Sequence, residues 1–188
     1  MSTSSFLSGH FLIAMPNLLD PNFNQTVTFI CEHNAQGAFG IVINRQTDTS
    51  IGEVLSQLEI TATEGNPSVD SHIFLGGPVE VSRGLVLHSP VGEWAATLVK
   101  IDEIAVTSSL DIIRAIGEGE APEKFILATG YAGWGPGQLE QEMAENAWLN
   151  GPADPKVIFE TPIEDRWNAA AKLLGVDLRL LSSEVGHA

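Results

Sequence analysis

Residues 26–44 have the sequence TVTFICEHNAQGAFGIVIN, and this stretch decides the class of fold. Two runs rich in β-branched and aromatic residues, Thr26–Glu32 and Phe39–Asn44, flank the polar connection His33–Ala38. Gly37 in that connection can adopt a positive φ, which a tight turn between two strands commonly requires. The stretch therefore predicts an antiparallel β-hairpin.

Further strands are predicted on both sides of this hairpin. Each is a short run rich in β-branched residues, and most are bounded by Gly, Pro, Asn or Asp. The runs are Phe11–Met15, His72–Leu75, Gly84–Ser89, Ala95–Ile101, Ile104–Thr107, Lys124–Thr129 and Lys156–Glu160.

About four helices are predicted from capping signals and apolar spacing. Two begin after Ser50 and Ser108, one begins after Thr161 with a proline at its first position, and one runs from Gln138 to about Leu149. The last carries three carboxylates expected to face largely outward: Glu140, Glu142 and Glu145. Because strands and helices do not alternate strictly, the pattern predicts one α+β domain over residues 1–188 with a mixed or largely antiparallel sheet.

The charge balance excludes two classes of partner. The 9 Lys and Arg residues stand against 24 Asp and Glu residues, a formal net charge of −15. Such a chain repels nucleic-acid phosphates and anionic membranes, and its few basic residues are dispersed along the sequence. The sequence therefore predicts no direct nucleic-acid contact and no membrane partner.

Cys31 is the one cysteine of the chain, which excludes a disulfide framework within the chain and a multi-thiolate zinc site. The first sixteen residues have neither a basic n-region nor a long apolar segment. Together these features predict a cytoplasmic protein.

The sequence does not match the known motifs for catalysis, cofactor binding or metal binding. The glycine-rich segment Gly130–Gly137 lies between a predicted strand and a predicted helix, but it fits neither the dinucleotide fingerprint nor the P-loop. The histidines lack metal-ligand spacing, and hydrolase signatures are missing. The sequence thus predicts no catalytic residue, no cofactor and no metal, and it favours a protein that is not an enzyme.

A small-molecule pocket remains an alternative prediction. Polar and aromatic residues at predicted strand ends and loops are the usual material of binding sites. The candidate ligand-binding residues are Glu32, His33, Asn34, Arg83, His88 and Trp134. The identity of such a ligand is unknown from the sequence.

Several motifs in the same order resemble the YqgE/AlgH family of bacterial proteins. The matching segments are His10–Pro16, Asp20-Pro21-x-Phe23, Glu32-His33-Asn34 with Gly37-Ala38 and Gly40, Gly76-Gly77-Pro78 with Arg83-Gly84 and His88, Gly130-Tyr131-Ala132-x-Trp134, Gly137–Glu140, Asn146–Leu149, Thr161–Ile163, Asp165–Trp167 and Gly186–Ala188. One departure is Asn24-Gln25, where the family often has a basic residue. The resemblance implies a strongly bent or barrel-like sheet flanked by helices.

The resemblance implies little about chemistry, since the family is largely uncharacterised and supplies no catalytic residue to carry over. One branch has a name that suggests a transcriptional regulator. With the acidic balance, this favours a regulatory or interaction protein that acts through a basic protein partner. Residues 102–145, with nine carboxylates and two basic residues, are a candidate docking face.

Overall fold

The computed structural model describes residues 6–185, which form ten strands and six α-helices. The strands are β1 (His10–Ala14), β2 (Val27–Asn34), β3 (Gly37–Val42), β4 (Gln46–Ser50), β5 (His72–Leu75), β6 (Val79–Ser89), β7 (Thr97–Ile101), β8 (Ile104–Thr107), β9 (Lys124–Trp134) and β10 (Trp148–Pro152). The helices are α1 (Ile51–Gln57), α2 (Leu110–Gly117), α3 (Gln138–Ala144), α4 (Pro155–Phe159), α5 (Arg166–Lys172) and α6 (Leu178–Val185). Single 3₁₀ turns cover Pro67–Asp70 and Ile163–Asp165.

The strands form one strongly curled sheet in the order β10-β1-β2-β3-β9-β6-β8-β7. All neighbours along this path are antiparallel, and β5 joins β9 in parallel while pairing with β4 on its other side. Although β7 ends the path, it contacts β2, because the sheet twists and closes on itself into a half-barrel. The α+β class and the bent sheet expected from the sequence are confirmed.

Alternation along the strands divides the apolar side chains between two faces of the sheet. The inner face carries the largest cluster, in which Phe11, Phe29 and Leu87 are buried against helices α4 to α6. On the outer face, α3 packs over β1, β2 and β9, and α1 and α2 pack over β5, β6 and the first half of β9. Burial of each large apolar side chain contributes roughly 1.5–3 kcal/mol, so both faces stabilise the fold.

Two glycine motifs meet where the chain crosses over β9. Ala128 of β9 has a residue of β5 on one side and a residue of β6 on the other, so the connection between β5 and β6 passes from one edge of β9 to the other. A Cβ on Gly77 would lie 2.1 Å from the carbonyl carbon of Tyr131, and a Cβ on Gly130 would lie 2.4 Å from the Gly77 oxygen. Side chains are excluded from this backbone crossing, so its glycines are structural.

One predicted strand is wrong. Residues 156–160 belong largely to α4, because Pro155 occupies the first helical turn and Asp154 caps it by accepting a hydrogen bond from the Lys156 amide. These two signals decide the local conformation against the β-branched residues that suggested a strand.

The helix predicted over 138–149 is too long. It ends at Ala144, and Asn146 follows with a left-handed φ of 60°. The chain then turns so that Trp148 pairs with Ala14, which makes residues 148–152 the edge strand β10. The predicted helix included the first two residues of a strand whose pairing depends on a distant partner.

Candidate functional site

A cleft of about 680 Å³ opens at one end of the half-barrel, and we name it the mouth cleft. The C-terminal ends of β2 and β9 and the N-terminal ends of β3, β6 and β7 meet there because neighbouring strands are antiparallel. Its polar lining is Glu32, Asn34, Gln36 and Arg83, and its larger apolar and aromatic lining is Phe39, Val79, Leu85, Leu98, Tyr131 and Trp134. The strands hold these groups on a rigid scaffold.

The strands around the mouth cleft are irregular there. The register shifts between Ile30 and Glu32 in β2, between Val79 and Gly84 in β6, and around Leu98 in β7. Bulges of this kind turn side chains away from the regular alternation and are frequent beside binding sites. The β7 bulge leaves the Leu98 side chain 43% exposed at the cleft.

The charged groups of the mouth cleft form two sets. A Glu32 carboxylate oxygen accepts a hydrogen bond from the Asn34 side-chain amide at 3.1 Å, and Asn34 in turn accepts the Gln36 backbone N–H. Arg83 donates to Glu80 across 3.4 Å, a long contact between two solvent-exposed side chains. Such an exposed pair contributes little to stability, so Arg83 stays available to other groups.

Tyr131 joins the aromatic part of the cleft to its charged part. Burial raises the pKa of the Tyr131 phenol, and the hydrogen bond from its hydroxyl to the Glu80 carboxylate raises it further. The ring of Phe39 meets the ring of Tyr131 edge to face, with 6.0 Å between the centroids. The phenol therefore stays protonated and serves as a hydrogen-bond donor on an apolar wall.

Gly133 supplies open space beside this wall. A Cβ at this position would lie 3.6 Å from the Tyr131 ring and 3.7 Å from Val79, which are ordinary contact distances. The glycine has no positive φ and is exposed, so its lack of a side chain widens the cleft without being required by the backbone.

The structure brings Glu32, Asn34, Arg83 and Trp134 to this cleft and directs His33 away from it. Successive residues of a strand point to opposite faces of the sheet, so His33 lies behind its neighbours. Its Nδ1 accepts the Leu7 backbone N–H at 2.9 Å, and its Nε2–H donates to Glu140 of α3. His33 is buried and ties the chain near Leu7 to that helix.

His88 also lies away from the mouth cleft, on the outer face of β6. Its Nδ1–H donates to the Pro90 carbonyl at 3.0 Å, and its Nε2 accepts the Thr107 hydroxyl at 2.8 Å. Burial lowers the pKa of His88, while the bond to Pro90 opposes this shift. The imidazole is therefore a neutral, fully bonded core residue.

Trp134 reaches the cleft rim, but its indole belongs to the packing of α3. The indole N–H donates to Glu142 Oε1 at 3.1 Å, and the Trp148 indole donates to the same oxygen at 2.9 Å. Glu142 is half-buried, so the expectation that it faces outward is wrong. Glu140 is exposed as expected, but its carboxylate is bonded to His33.

The structure offers no support for a reactive cysteine or a metal site among the described residues. Burial raises the pKa of the Cys31 thiol strongly, which keeps it protonated and unreactive. Within residues 6–185, no group of three or more His, Cys, Asp or Glu side chains is placed to hold a metal ion. None of the described helices is long and apolar enough to cross a bilayer. His187 lies outside the described residues.

Sequence reasoning missed Phe39, Leu98, Tyr131 and Gly133 as parts of the site. The available signal was strand parity combined with pairing. Residues that alternate with Glu32 or stand directly across from it share its face, and Phe39 is its partner in β3. Leu98 gave no such signal, because its position depends on a bulge.

Comparison with known proteins agrees with this architecture. Residues 11–179 match the model of the AlgH-like family. The chain belongs to that family. Its relatives include UPF0301 proteins of Methylococcus capsulatus and Nitrosococcus oceani, each 51% identical, over 99% and 100% of this chain and 98% and 100% of the relatives. The family resemblance inferred from the motifs is confirmed.

Two solved structures share the fold. The solution structure of the AlgH protein from Pseudomonas aeruginosa is 48% identical, with a TM-score of 0.80 over 100% of this chain and 99% of that one. Protein DIP2367 from Corynebacterium diphtheriae is 22% identical, with a TM-score of 0.74 over 97% of this chain and 94% of that one. The second likeness concerns the fold alone.

Proposed function

We propose that this AlgH-like protein is a non-catalytic interaction protein that regulates a protein partner through the mouth cleft, and that it works in the cytoplasm. The observation that carries the proposal is the convergence of Glu32, Asn34 and Arg83 with Phe39 and Tyr131 on one solvent-open surface. Carboxylate, amide, guanidinium and phenol groups beside apolar walls recognise ligands by charge and shape.

The placement of the acid-base groups supports binding rather than turnover. A general base needs a proton-accepting group within reach of substrate. His33 and His88 lie on the other face of the sheet with both ring nitrogens bonded, and Cys31 is buried as a thiol. These three groups are thus used by the fold and do not face the cleft.

A photo-crosslinking residue placed at Leu98 tests the proposal in living cells. Leu58 is the matched control, since both side chains are 43% exposed and Leu58 is not part of the cleft lining. We expect a protein adduct at position 98 that Gly133→Val removes, and none at 58. Absence of an adduct at position 98 would contradict the proposal, and so would turnover of a metabolite by the purified chain.

A small-molecule ligand is the second candidate, favoured by the size of the cleft. Its volume of about 680 Å³ is within the range of roughly 300–1,000 Å³ that is common for small-molecule sites. A thermal-shift screen of metabolites should then find a compound that raises the melting temperature of the wild-type chain and not of Gly133→Val.

A further inference from the structure

We propose that the mouth cleft receives an extended segment of the partner in which a lysine or arginine and an apolar residue lie two positions apart, on the same side of the segment. This inference rests on the proposed function and names the chemistry that the partner presents. The cation lies at Glu32, and the apolar side chain packs against Phe39, Tyr131 and Leu98.

The negative charge of Glu32 favours a cationic side chain of the partner on this side of the cleft. The polar partner of this carboxylate is the neutral amide of Asn34, and within the described residues no ion pair involves Glu32. Arg83 also lines the cleft, and the adjacent Glu80, which contacts both Arg83 and Tyr131, brings the local count to two carboxylates and one guanidinium. The cleft is therefore net acidic, in a chain whose formal net charge is −15, and it attracts and orients a basic segment.

The apolar lining of the cleft favours an apolar side chain of the partner near the cation. Leu98 is 43% exposed and the rings of Phe39 and Tyr131 are only partly buried, so their cleft-facing surfaces gain from being covered. The space left by Gly133 lies directly beside the Tyr131 ring. We expect a branched or aromatic side chain such as leucine or phenylalanine to pack here, and the Tyr131 face can also attract a nearby cation.

These two features favour a protein segment over a free polyamine. A polyamine carries charge but no branched or aromatic group to cover Phe39 and Leu98. An extended segment places alternate side chains on one side, so a basic and an apolar residue two positions apart can both reach the face that Glu32 shares with Phe39.

The test measures, by fluorescence anisotropy, how the full chain binds a labelled short peptide with the repeating sequence Lys-Ser-Leu-Ser, the lysine–leucine peptide. Two comparison peptides replace every lysine by glutamate or every leucine by glycine. We expect measurable binding of the first peptide alone, a loss of about tenfold or more in Gly133→Val, and a loss of about threefold to tenfold in Glu32→Gln. Higher salt should weaken wild-type binding more than it weakens Glu32→Gln.

Two variants control for folding and for nonspecific charge. Gly135→Val alters an exposed glycine of the same segment that does not line the cleft, and it should bind as the wild type does. A double variant, Glu118→Gln with Glu123→Gln, removes two carboxylates of a separate groove and should also bind normally. Amide spectra and melting temperatures confirm that each variant is folded.

The outcomes separate this inference from the proposed function. If the lysine–leucine peptide does not bind while Leu98 still crosslinks to a protein, the inference is overturned and the proposed function stands. The inference is also overturned if the glutamate peptide binds equally well, or if binding is lost in the Glu118/Glu123 double variant and kept in Glu32→Gln. It is overturned as well if spermidine binds in the cleft while the lysine–leucine peptide does not bind. Loss of the Leu98 adduct as well would overturn both.

Discussion

Arg166 shows how one residue can stabilise three separate parts of the fold. It is buried, its Nη1 donates to the Ile43 carbonyl at 2.7 Å, and its Nε donates to the Thr161 carbonyl at 2.9 Å. Its guanidinium lies 5.5 Å from the centroid of the Phe74 ring. Burial lowers the pKa of Arg166 to about 10, so it remains charged at neutral pH.

Arg166→Lys should destabilise the fold by about 3 kcal/mol, because an ammonium cannot reproduce two directed bonds from a planar group and leaves a buried carbonyl unpaired. Urea denaturation of this variant and of Arg179→Lys, at an exposed position, measures the difference. If the two substitutions have equal effects, Arg166 is not the anchor described here.

His88 makes stability depend on pH in a predictable direction. The pKa of His88 in the folded chain is lowered from the ordinary value of 6.5. Below pH 6.5 the unfolded chain therefore binds a proton at this residue that the folded chain does not bind. The free energy of unfolding therefore falls as the pH drops below 6.5, and this contribution levels off once the folded imidazole also becomes protonated. One proton gives a slope of at most about 1.4 kcal/mol per pH unit.

His88→Gln should flatten the dependence of stability on pH between neutral and mildly acidic conditions, whatever its effect at neutral pH. His72→Gln is the matched control, because His72 is an exposed histidine and should leave the slope as in the wild type. Chemical denaturation at several pH values gives the slopes. A wild-type slope that survives in His88→Gln would show that another group is responsible.

At the scale of elements, helix α3 is attached to the sheet by hydrogen bonds to carboxylates that the sequence predicted to be exposed to solvent. Glu142 accepts both indole N–H groups, from Trp134 and Trp148. Glu142→Ala should cost about 2–3 kcal/mol, since two buried donors lose their acceptor. Tryptophan fluorescence during urea unfolding measures this cost.

Glu145→Ala is the control for that helix. Glu145 is exposed and pairs with Gln141 one turn earlier, so its loss should change stability by less than about 0.5 kcal/mol. Similar losses in both variants would contradict the role assigned to Glu142. Three carboxylates of residues 102–145, Glu140, Glu142 and Asp111, also form bonds within the fold, and the docking role of this face stays a prediction.

The backbone crossing over β9 makes a second prediction at this scale. Gly130 and Gly119 have nearly the same φ, 75° and 76°, but a Cβ meets the Gly77 oxygen at 2.4 Å in the first case and nothing within 4 Å in the second. Gly119→Ala should cost about 1–2 kcal/mol through the backbone alone. Gly130→Ala should cost at least about 3 kcal/mol or prevent folding.

Soluble yield and denaturation midpoints of the two alanine variants measure the difference. Because the backbone conformation is matched, any excess loss at position 130 reports the steric contact with the crossing segment. Equal losses would show that the crossing segment at Gly77 can move away from β9 at little cost.

Local signals in the sequence predicted the elements that depend on neighbours in the chain. The hairpin of β2 and β3, the strands His72–Leu75 and Ile104–Thr107, and the capping box at Ser50 are as expected. The polar strand β4 was missed because Gln46–Ser50 lacks apolar alternation, and β10 because its pairing with β1 spans most of the chain. Long-range pairing carries no local signature.

The candidate site likewise has residues whose placement local signals predict and residues whose placement depends on the fold. Glu32, Asn34, Arg83 and Trp134 meet at one cleft, but three consecutive residues of one strand cannot all face it, which places His33 behind the sheet. Strand parity, which the sequence pattern alone defines, is sufficient to separate His33 from its two neighbours. The ligand-binding roles of these residues remain a prediction.

At the scale of the whole molecule, the half-barrel has an inner face closed by helices α4 to α6 and an open end at the mouth cleft. The rigid strands fix the site, and the irregular registers in β2, β6 and β7 shape it. We propose that the acidic balance of the chain favours the approach of basic partners to this end. These features together lead us to propose the mouth cleft as the binding site for a basic, apolar segment of a protein.

Chemical-shift mapping is the sharpest test of this binding mode. Uniformly ¹⁵N-labelled protein is titrated with the lysine–leucine peptide, and the amide shifts are assigned to positions in the fold. We expect the largest changes on Glu32, Phe39, Leu98, Tyr131 and Gly133, and we expect them to disappear in Gly133→Val. Changes concentrated instead around Glu64, Glu118 and Glu123, or spread evenly over the acidic surface, would contradict binding at the mouth cleft.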